Sequence, residues 1–402
     1  MDSFSTTETT RHAGVPADDS KARWGAVVSL SLGVFGLVTA EFLPASLLTP
    51  IAADLGVSIG GAGQTVTTTS VVAAFAGPAI VVGTGRFDRR TVLLTLTALL
   101  VISSLMAGFT PNLILLLAAR VLLGIALGGF WAMSLALAMR LVPGRHMPRA
   151  MAIVMSGVSI ATVCAAPVGA WIGATLGWRY AFLLSGAVGV VAFLAQVITM
   201  PSLPPVGATG FATIANVLKR PAIRLGLGTI LLVVTGHFAG FTYVRPFLEQ
   251  VPRLGVDAIT GILLAFGIGG FLGNLAGGFL SERSTRFSMG LAASGVAATA
   301  LLLTVGGAVP AVAALAVAIW GFAFGALPVS VQAYMSRVAG DEAEGAGAAT
   351  LTTFQIAIST GAILGGLIVD LQGPSAVFLF SAVAALAGTL LISTAGRRVA
   401  VA

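Results

Sequence analysis

Long apolar stretches alternate with short polar breaks along most of the chain. Each stretch runs for about 20 residues or more, which is the length that a helix needs to cross a bilayer. The breaks are charged or proline-containing clusters, such as RFDRR after the second stretch and VPGRHMPR after the fourth. The pattern predicts an all-α integral membrane protein with twelve spans, over residues 24–49, 63–84, 91–109, 112–139, 149–173, 180–199, 223–246, 258–280, 288–308, 311–336, 346–370 and 375–395.

The longest polar gap, MPSLPPVGATGFATIANVLKRPAIR, follows the sixth span and divides the chain in half. The first 23 residues are too polar for a signal peptide, and the apolar stretch after them is too long for one. We therefore expect a tail, a six-helix bundle, a central loop, a second six-helix bundle and a second tail, over residues 1–23, 24–199, 200–222, 223–395 and 396–402.

Composition excludes an ordinary soluble protein. Only 9% of the residues are charged, 57% are apolar, and the mean hydropathy is +1.02, whereas soluble domains carry roughly a quarter charged residues. One cysteine and three histidines leave no basis for a disulfide or a metal site, so we expect no metal and no cofactor. A multispan membrane enzyme is a distant alternative, because no nucleophile, base or ligand cluster stands at one interface.

The basic residues predict the orientation of the chain. Seventeen of the 21 Lys and Arg residues lie in the two tails and the even-numbered connections, and only Arg179, Arg245 and Arg253 lie in the odd-numbered ones. Cytoplasmic loops carry the excess of Lys and Arg. We therefore expect both termini in the cytoplasm. In a soluble protein a net charge of +7 would suggest a nucleic-acid partner, but here the basic residues lie in loops on one side of a membrane, so we expect no such partner.

The second half repeats features of the first half at an offset of 197 positions. The repeated pairs are Arg86 and Arg283, Gly124 and Gly321, Gly128 and Gly325, and Arg140 and Arg337. Duplicated six-helix halves are typical of transporters that rock about a substrate site near the midplane of the membrane. Neither a channel nor a multispan enzyme needs this symmetry.

Four motifs carry a family resemblance: PASLLTPIAADLGVS, RVLLGIALGG, AAPVGAWIG and GGFLSER. The chain resembles the major facilitator superfamily over its membrane length and, within it, the twelve-helix drug:proton antiporters. The resemblance implies two pseudo-symmetric six-helix bundles. It also implies gating loops, with Glu282 and Arg283 in one copy of the loop motif and Arg86, Asp88, Arg89 and Arg90 in the other. The first copy has Gly85 where the family has an acid, and Asp88 is the remaining candidate for that role.

Three longer stretches, EFLPASLLTPIAADLGVS, GGFWAMSLALAMRLVP and FTYVRP, look like the bacterial purine ribonucleoside efflux pumps. This resemblance implies a proton antiporter of the bacterial inner membrane that exports purine ribonucleosides such as inosine or guanosine, acting as a monomer. The implied partners are the nucleoside, protons and the bilayer. Export of drugs or sugars by the same fold is the alternative.

Ionisable side chains inside the spans are candidates for proton coupling, because a charge in hydrocarbon is costly. Glu41 is the one carboxylate clearly inside a predicted span, and Arg120 lies at nearly the same depth. We expect an ion pair between them that changes with the state of the transporter. A static pair that fixes helix packing is the alternative. His237 is a rival proton carrier, a partner for a ribose hydroxyl, or a core histidine.

Aromatic and amide side chains inside the spans are candidates for the substrate cavity, since aromatic rings can stack on a purine. Trp131 shares a helix face with Arg120 and is our first candidate for stacking. Membrane amides often bridge helices instead. The predicted cavity residues are Trp131, Ser134, His237, Phe241, Tyr243, Trp320, Gln332 and Gln355.

Overall fold

The computed structural model describes residues 22–205 and 218–399. Residues 1–21 and 400–402 of the predicted tails and residues 206–217 of the predicted central loop lie outside the described residues. The helices are α1 Trp24–Leu55, α2 Ile59–Gly83, α3 Arg89–Gly108, α4 Leu113–Leu141, α5 Met147–Ile172, α6 Trp178–Thr199, α7 Pro221–Thr242, α8 Val244–Gln250, α9 Val256–Arg283, α10 Thr285–Gly306, α11 Pro310–Ala339, α12 Ala343–Gln372 and α13 Ala376–Val399.

Each predicted span falls on one of these helices, and the seventh is divided between α7 and the short α8. Within the described residues, ten segments are long and apolar enough to cross a membrane by length and composition. One of the ten joins α5 to α6, and α2 is not among them. The chain is therefore an all-α, multi-pass membrane protein, as the apolar pattern predicts.

Polar residues in the short connections set several helix starts. Ser58 accepts a hydrogen bond from Gly61 N at 2.9 Å to cap α2, and Asn112 accepts one from Leu115 N at 2.9 Å to cap α4. Asp88 caps α3 through Arg90 N at 2.7 Å. These side chains satisfy amide groups that have no partner inside the helix, so the polar breaks in the sequence become tight turns.

The two halves repeat the same set of helix pairs. In the first half α1 packs on α5 and α6, α2 on α4, and α3 on α4 and α6. In the second half α7 packs on α12 and α13, α9 on α11, and α10 on α11 and α13. The helices thus form two pseudo-symmetric six-helix bundles, which confirms the duplicated architecture.

The repeated glycines have the same role in helix packing in both bundles. A methyl group on Gly124 would lie 2.6 Å from the carbonyl oxygen of Thr69, and one on Gly128 would lie 2.5 Å from that of Ala73. In the second bundle, a methyl group on Gly321 would collide with the carbonyl of Phe266. Small residues let helix backbones approach closely in a membrane, so these glycines hold α4 against α2 and α11 against α9.

Candidate functional site

The bundles meet along α2 and α12, along α5 and α9, and where α1 contacts α7 and α8. We call the end of the molecule at the α1–α2 turn, residues 56–58, the far face. The near face is the opposite end, where α1 begins and α13 ends. Near the far face, four hydrogen bonds between described residues join the two bundles.

Asp370 near the end of α12 makes two of these hydrogen bonds with the start of α2. Its carboxylate accepts from Ser58 Oγ at 2.7 Å and from Gly60 N at 2.9 Å. A negative charge at a helix N-terminus is stabilised by the helix dipole and by the free amides there. Asp370 therefore ties the second bundle to the first at the far face.

Arg245 and Glu249 of α8 make the other two contacts, with α1. Arg245 Nη1 donates to the carbonyl oxygen of Ser46, and Glu249 Oε2 accepts from Thr49 Oγ1 at 2.6 Å. The two charged side chains also pair with each other, at 2.7 Å between Arg245 Nε and Glu249 Oε1. Arg245 is almost completely buried, 4% exposed, so the far face is closed by charged as well as apolar contacts.

Glu41 lies on α1 at the boundary between the bundles. It is partly buried, and the side chain of Gln355 from α12 faces it within hydrogen-bonding reach. The amide oxygen of Gln355 has no hydrogen-bond partner, which leaves its amide nitrogen as the donor toward Glu41. A carboxyl group of one bundle therefore faces an amide of the other.

The expected ion pair between Glu41 and Arg120 is wrong for this structure. Arg120 Nη1 instead donates to the carbonyl oxygen of Ala40 at 2.9 Å, and its guanidinium carbon lies 4.5 Å from the centre of the Phe182 ring. The physical reason is Pro44, which has no N–H to donate to the carbonyl four residues earlier. Arg120 satisfies that carbonyl from within the same bundle.

His237 sits at the centre of an aromatic cluster between α7, α9 and α11. Its ring stacks on Phe324 at 3.3 Å between centroids and lies 5.5 Å from Phe241 and 5.2 Å from Trp320. We call this the aromatic cluster; its members are His237, Phe238, Phe241, Phe266, Trp320 and Phe324.

Two polar atoms in the aromatic cluster have no hydrogen-bond partner in the part of the chain that the structure describes. They are His237 Nδ1 and Trp320 Nε1, both buried. Phe42, the neighbour of Glu41 in sequence, stacks on Phe238 at 6.3 Å. The cluster of the second bundle therefore reaches α1 of the first bundle at Phe42, the residue that follows Glu41.

The structure brings together only part of the predicted cavity. His237, Phe241 and Trp320 lie in the aromatic cluster, and Gln355 faces Glu41. Trp131 instead packs against the core of the first bundle, and among the described residues it makes no ring contact with the cluster. The hydroxyl of Ser134 donates to the carbonyl of Phe130 at 2.5 Å.

Two further predicted cavity residues also lie elsewhere. Tyr243 is fully buried and donates from Oη to the carbonyl of Ala362 at 2.8 Å. There it packs against glycines of α2 and α12, among them Gly63 and Gly366. Gln332 is exposed and lines a shallow groove between α11 and α12.

Sequence reasoning missed Phe42, Phe266 and Phe324. Phe324 follows Trp320 by four residues and so shares its helix face, which was a usable signal. Phe42 adjoins Glu41 in the sequence. Phe266 is one apolar residue within an apolar span, and only the packing of α9 on α11 identifies it.

The loop residues predicted to gate the protein contact their own bundles in this structure. Asp88 accepts hydrogen bonds from Ser202 Oγ and from Leu203 N, and Arg90 Nη2 donates to the carbonyl of Val197 at 2.7 Å. Arg89 Nη1 donates to Thr84 Oγ1 at 3.1 Å.

The hydrogen bond from Ser202, with smaller contributions from backbone amides, lowers the pKa of Asp88 below its usual value. Asp88 therefore links the start of α3 to the segment after α6.

In the second bundle, Glu282 and Arg283 are exposed. Arg283 lies over the ring of Phe279.

Known proteins are similar to this chain over nearly its whole length. Purine ribonucleoside efflux pumps NepI from Escherichia coli O6:H1, Escherichia coli K12 and Shigella sonnei are each 39% identical to this chain over 376 residues. The alignment covers 94% of this chain and 93% of each pump.

A solved structure agrees in fold. The crystal structure of a bacterial homologue of the human lysosomal transporter Spinster, in an inward-facing and unoccupied conformation, superposes with a TM-score of 0.69. The match is 17% identical and covers 92% of this chain and 95% of that one. The family model of the Major Facilitator Superfamily matches residues 30–360. The chain therefore belongs to the major facilitator superfamily, and it is a multi-pass membrane transporter rather than an enzyme.

Proposed function

We propose that this transporter is a proton-coupled antiporter that exports purine ribonucleosides. The proposal is carried by two contacts across the bundle boundary: Phe42 of α1 stacks on Phe238 of the aromatic cluster, and Gln355 of the second bundle faces Glu41, the residue before Phe42. The name of the relatives, purine ribonucleoside efflux pumps, gives the substrate class. A site that spans both bundles is what alternating access requires.

Recognition of a purine nucleoside fits the chemistry of the cluster. The base would lose hydration on entering the site and would regain free energy by stacking on aromatic rings, at roughly 1–3 kcal/mol per base. Trp320 Nε1, His237 Nδ1 and Gln355 Oε1 lack hydrogen-bond partners among the described residues. A buried polar atom without a partner is costly, so these three atoms are the expected contacts for base or ribose atoms.

Glu41 is the proposed proton carrier. A charged carboxylate is costly away from water, and among the described residues no cationic side chain lies within ion-pair distance of Glu41. Separation of the bundles would remove Gln355 and admit water, which favours the charged form. The site would then hold either substrate or a proton, in step with which of the two faces is open. Arg120, held on α1 at Ala40, adds positive potential nearby.

Orientation follows from the basic residues. The near face carries the basic connections after α2 and α4, and the positive-inside rule places this face in the cytoplasm. On this orientation the protein lies in the inner membrane with both termini cytoplasmic, and the far face, which is closed by the contacts between the bundles, is the outer one. We propose that residues 24–199 and 223–395 move as rigid bodies and that one chain is sufficient for transport.

Uptake into inverted membrane vesicles tests the function. An acidic interior should drive accumulation of labelled inosine or guanosine, and dissipation of the pH gradient should abolish it. A parallel panel of sugars and hydrophobic drugs distinguishes the alternative substrates. Gradient-driven uptake of a drug or sugar, with no uptake of any nucleoside, would contradict the proposed substrate class while leaving proton antiport intact.

A further inference from the structure

Two prolines inside α1 each leave a backbone carbonyl without its helical donor. Pro44 cannot donate to the carbonyl of Ala40, and Pro50 cannot donate to that of Ser46. In a membrane no water replaces a missing backbone partner, and an unpaired group is costly. The structure supplies an arginine to each carbonyl: Arg120 to Ala40 at 2.9 Å, and Arg245 to Ser46.

The two arginines differ in where they come from. Arg120 stands on α4, in the same bundle as α1, so its contact can persist through any rigid movement of that bundle. Arg245 stands on α8, in the other bundle. When the far face opens and the bundles separate there, Arg245 must leave the carbonyl of Ser46. One contact is therefore static and the other depends on the state of the transporter.

The contacts of Arg245 show why its bond to α1 is the one that depends on the state of the transporter. Its charge is paired with Glu249 at 2.7 Å on the same helix, so this ion pair moves with the second bundle. The guanidinium Nη1 has the Ser46 carbonyl as its hydrogen-bond acceptor. Ser46 is 1% exposed and Arg245 is 4% exposed, so water does not compete for the contact while the far face is closed.

We propose that Pro50 and Arg245 form a backbone latch that sets the balance between the closed and the open far face. Pro50 leaves the Ser46 carbonyl free, and Arg245 occupies it only when the far face is closed. Arg245 thus acts as a positioning residue for the transport cycle, through α1 rather than through substrate. The latch requires the alternating access of the proposed function but not its substrate or its proton.

The substitution Pro50→Ala tests the latch directly. Alanine supplies the missing N–H, so the Ser46 carbonyl is satisfied within α1 and depends less on Arg245. A hydrogen bond to a charged donor contributes enough to change an equilibrium constant about tenfold or more. We expect the ratio of open to closed far face to rise by about that factor. Pro44→Ala is the matched control, because it frees Arg120 within one bundle and should leave the ratio unchanged.

Spin-label distances in the full-length protein report the ratio without substrate. In a Cys164→Ser background, labels at Pro111 and Gln372 span the far face, and labels at Met139 and Ser336 span the near face; all four positions are exposed. With Pro50→Ala, the far-face distances should shift to longer values and the near-face distances to shorter ones. Identical distributions for Pro50→Ala and Pro44→Ala would overturn the latch.

A double-mutant cycle separates the effect of the latch on this ratio from any general disturbance of α1 by Pro50→Ala. The double substitution Arg245→Met and Glu249→Gln removes both charges of the pair and should itself open the far face. If Pro50 acts through Arg245, adding Pro50→Ala to that variant should change the ratio less than twofold. A full additional effect of Pro50→Ala would contradict the latch. If the protein shows these shifts but transports no nucleoside, the latch is supported and only the proposed substrate is contradicted.

Discussion

The two bundles share a scaffold but differ in chemistry. Their helix pairs repeat, and Gly124 and Gly321 make equivalent close approaches. At the position 197 residues after Arg120, however, the second bundle has Val317, which is buried among apolar side chains. The first bundle holds Glu41 and Arg120, whereas the second holds the aromatic cluster. The two halves thus share their backbone packing but carry different side chains, and we propose proton binding in the first bundle and substrate binding in the second.

Glu41→Gln is the strongest test of this division. Glutamine keeps the size and the hydrogen bond to Gln355 but cannot release a proton. We expect loss of gradient-driven nucleoside accumulation, with exchange of labelled for unlabelled nucleoside retained, measured in the same proteoliposomes. Undiminished accumulation by this variant would indicate that His237 in the second bundle carries the proton instead.

The shared scaffold predicts equal losses of stability in both halves. Gly124→Ala and Gly321→Ala each place a methyl group against a carbonyl of the partner helix, and overpacking costs about 1–3 kcal/mol. Thermal unfolding in detergent should show similar decreases for the two variants. Gly261→Ala is the control, because a methyl group at Gly261 meets no atom within 4 Å. A loss confined to one half would contradict equivalent packing.

Trp320→Phe sharpens the assignment of substrate binding to the second bundle. Phenylalanine keeps an aromatic ring but removes Nε1, which has no partner in the protein. Loss of one hydrogen bond should weaken nucleoside binding about three- to tenfold, measured by calorimetry or scintillation proximity. Trp131→Phe in the first bundle is the matched variant. A larger effect at Trp131 would restore that residue to the stacking role that its helix face suggests.

Much of the fold could be predicted from the sequence, because a span of about 20 apolar residues has few other uses and the glycine pairs fall at a constant offset. The site was predicted less completely. Phe266 has no contrast with its apolar neighbours, so only packing shows its place in the cluster. Pro44 was visible, but which side chain reaches the carbonyl of Ala40 depends on how α4 lies against α1. The placement of Glu41 opposite Gln355 likewise depends on how the two bundles meet.

The smallest expected effect concerns Asp88, which connects α3 to the segment after α6. Its pKa is lower in the folded protein than in the unfolded chain, where a value of about 4 is usual. Asp88 therefore stabilises the fold above that pH, and this contribution is lost as the pH falls through the lower, native value. Ser202→Ala should make stability slightly less sensitive to acid in this range. An unchanged acid limb in thermal unfolding would contradict this contribution of Ser202.

Coupling of proton and nucleoside movement is the central claim, and proton flux tests it most directly. In proteoliposomes with an imposed pH gradient and a trapped pH-sensitive dye, adding inosine on the less acidic side should speed the collapse of the gradient. The Glu41→Gln protein should show no such acceleration, although it still exchanges nucleoside. Proton flux that is unchanged by inosine in the wild-type protein, or equal acceleration in the Glu41→Gln variant, would contradict the account.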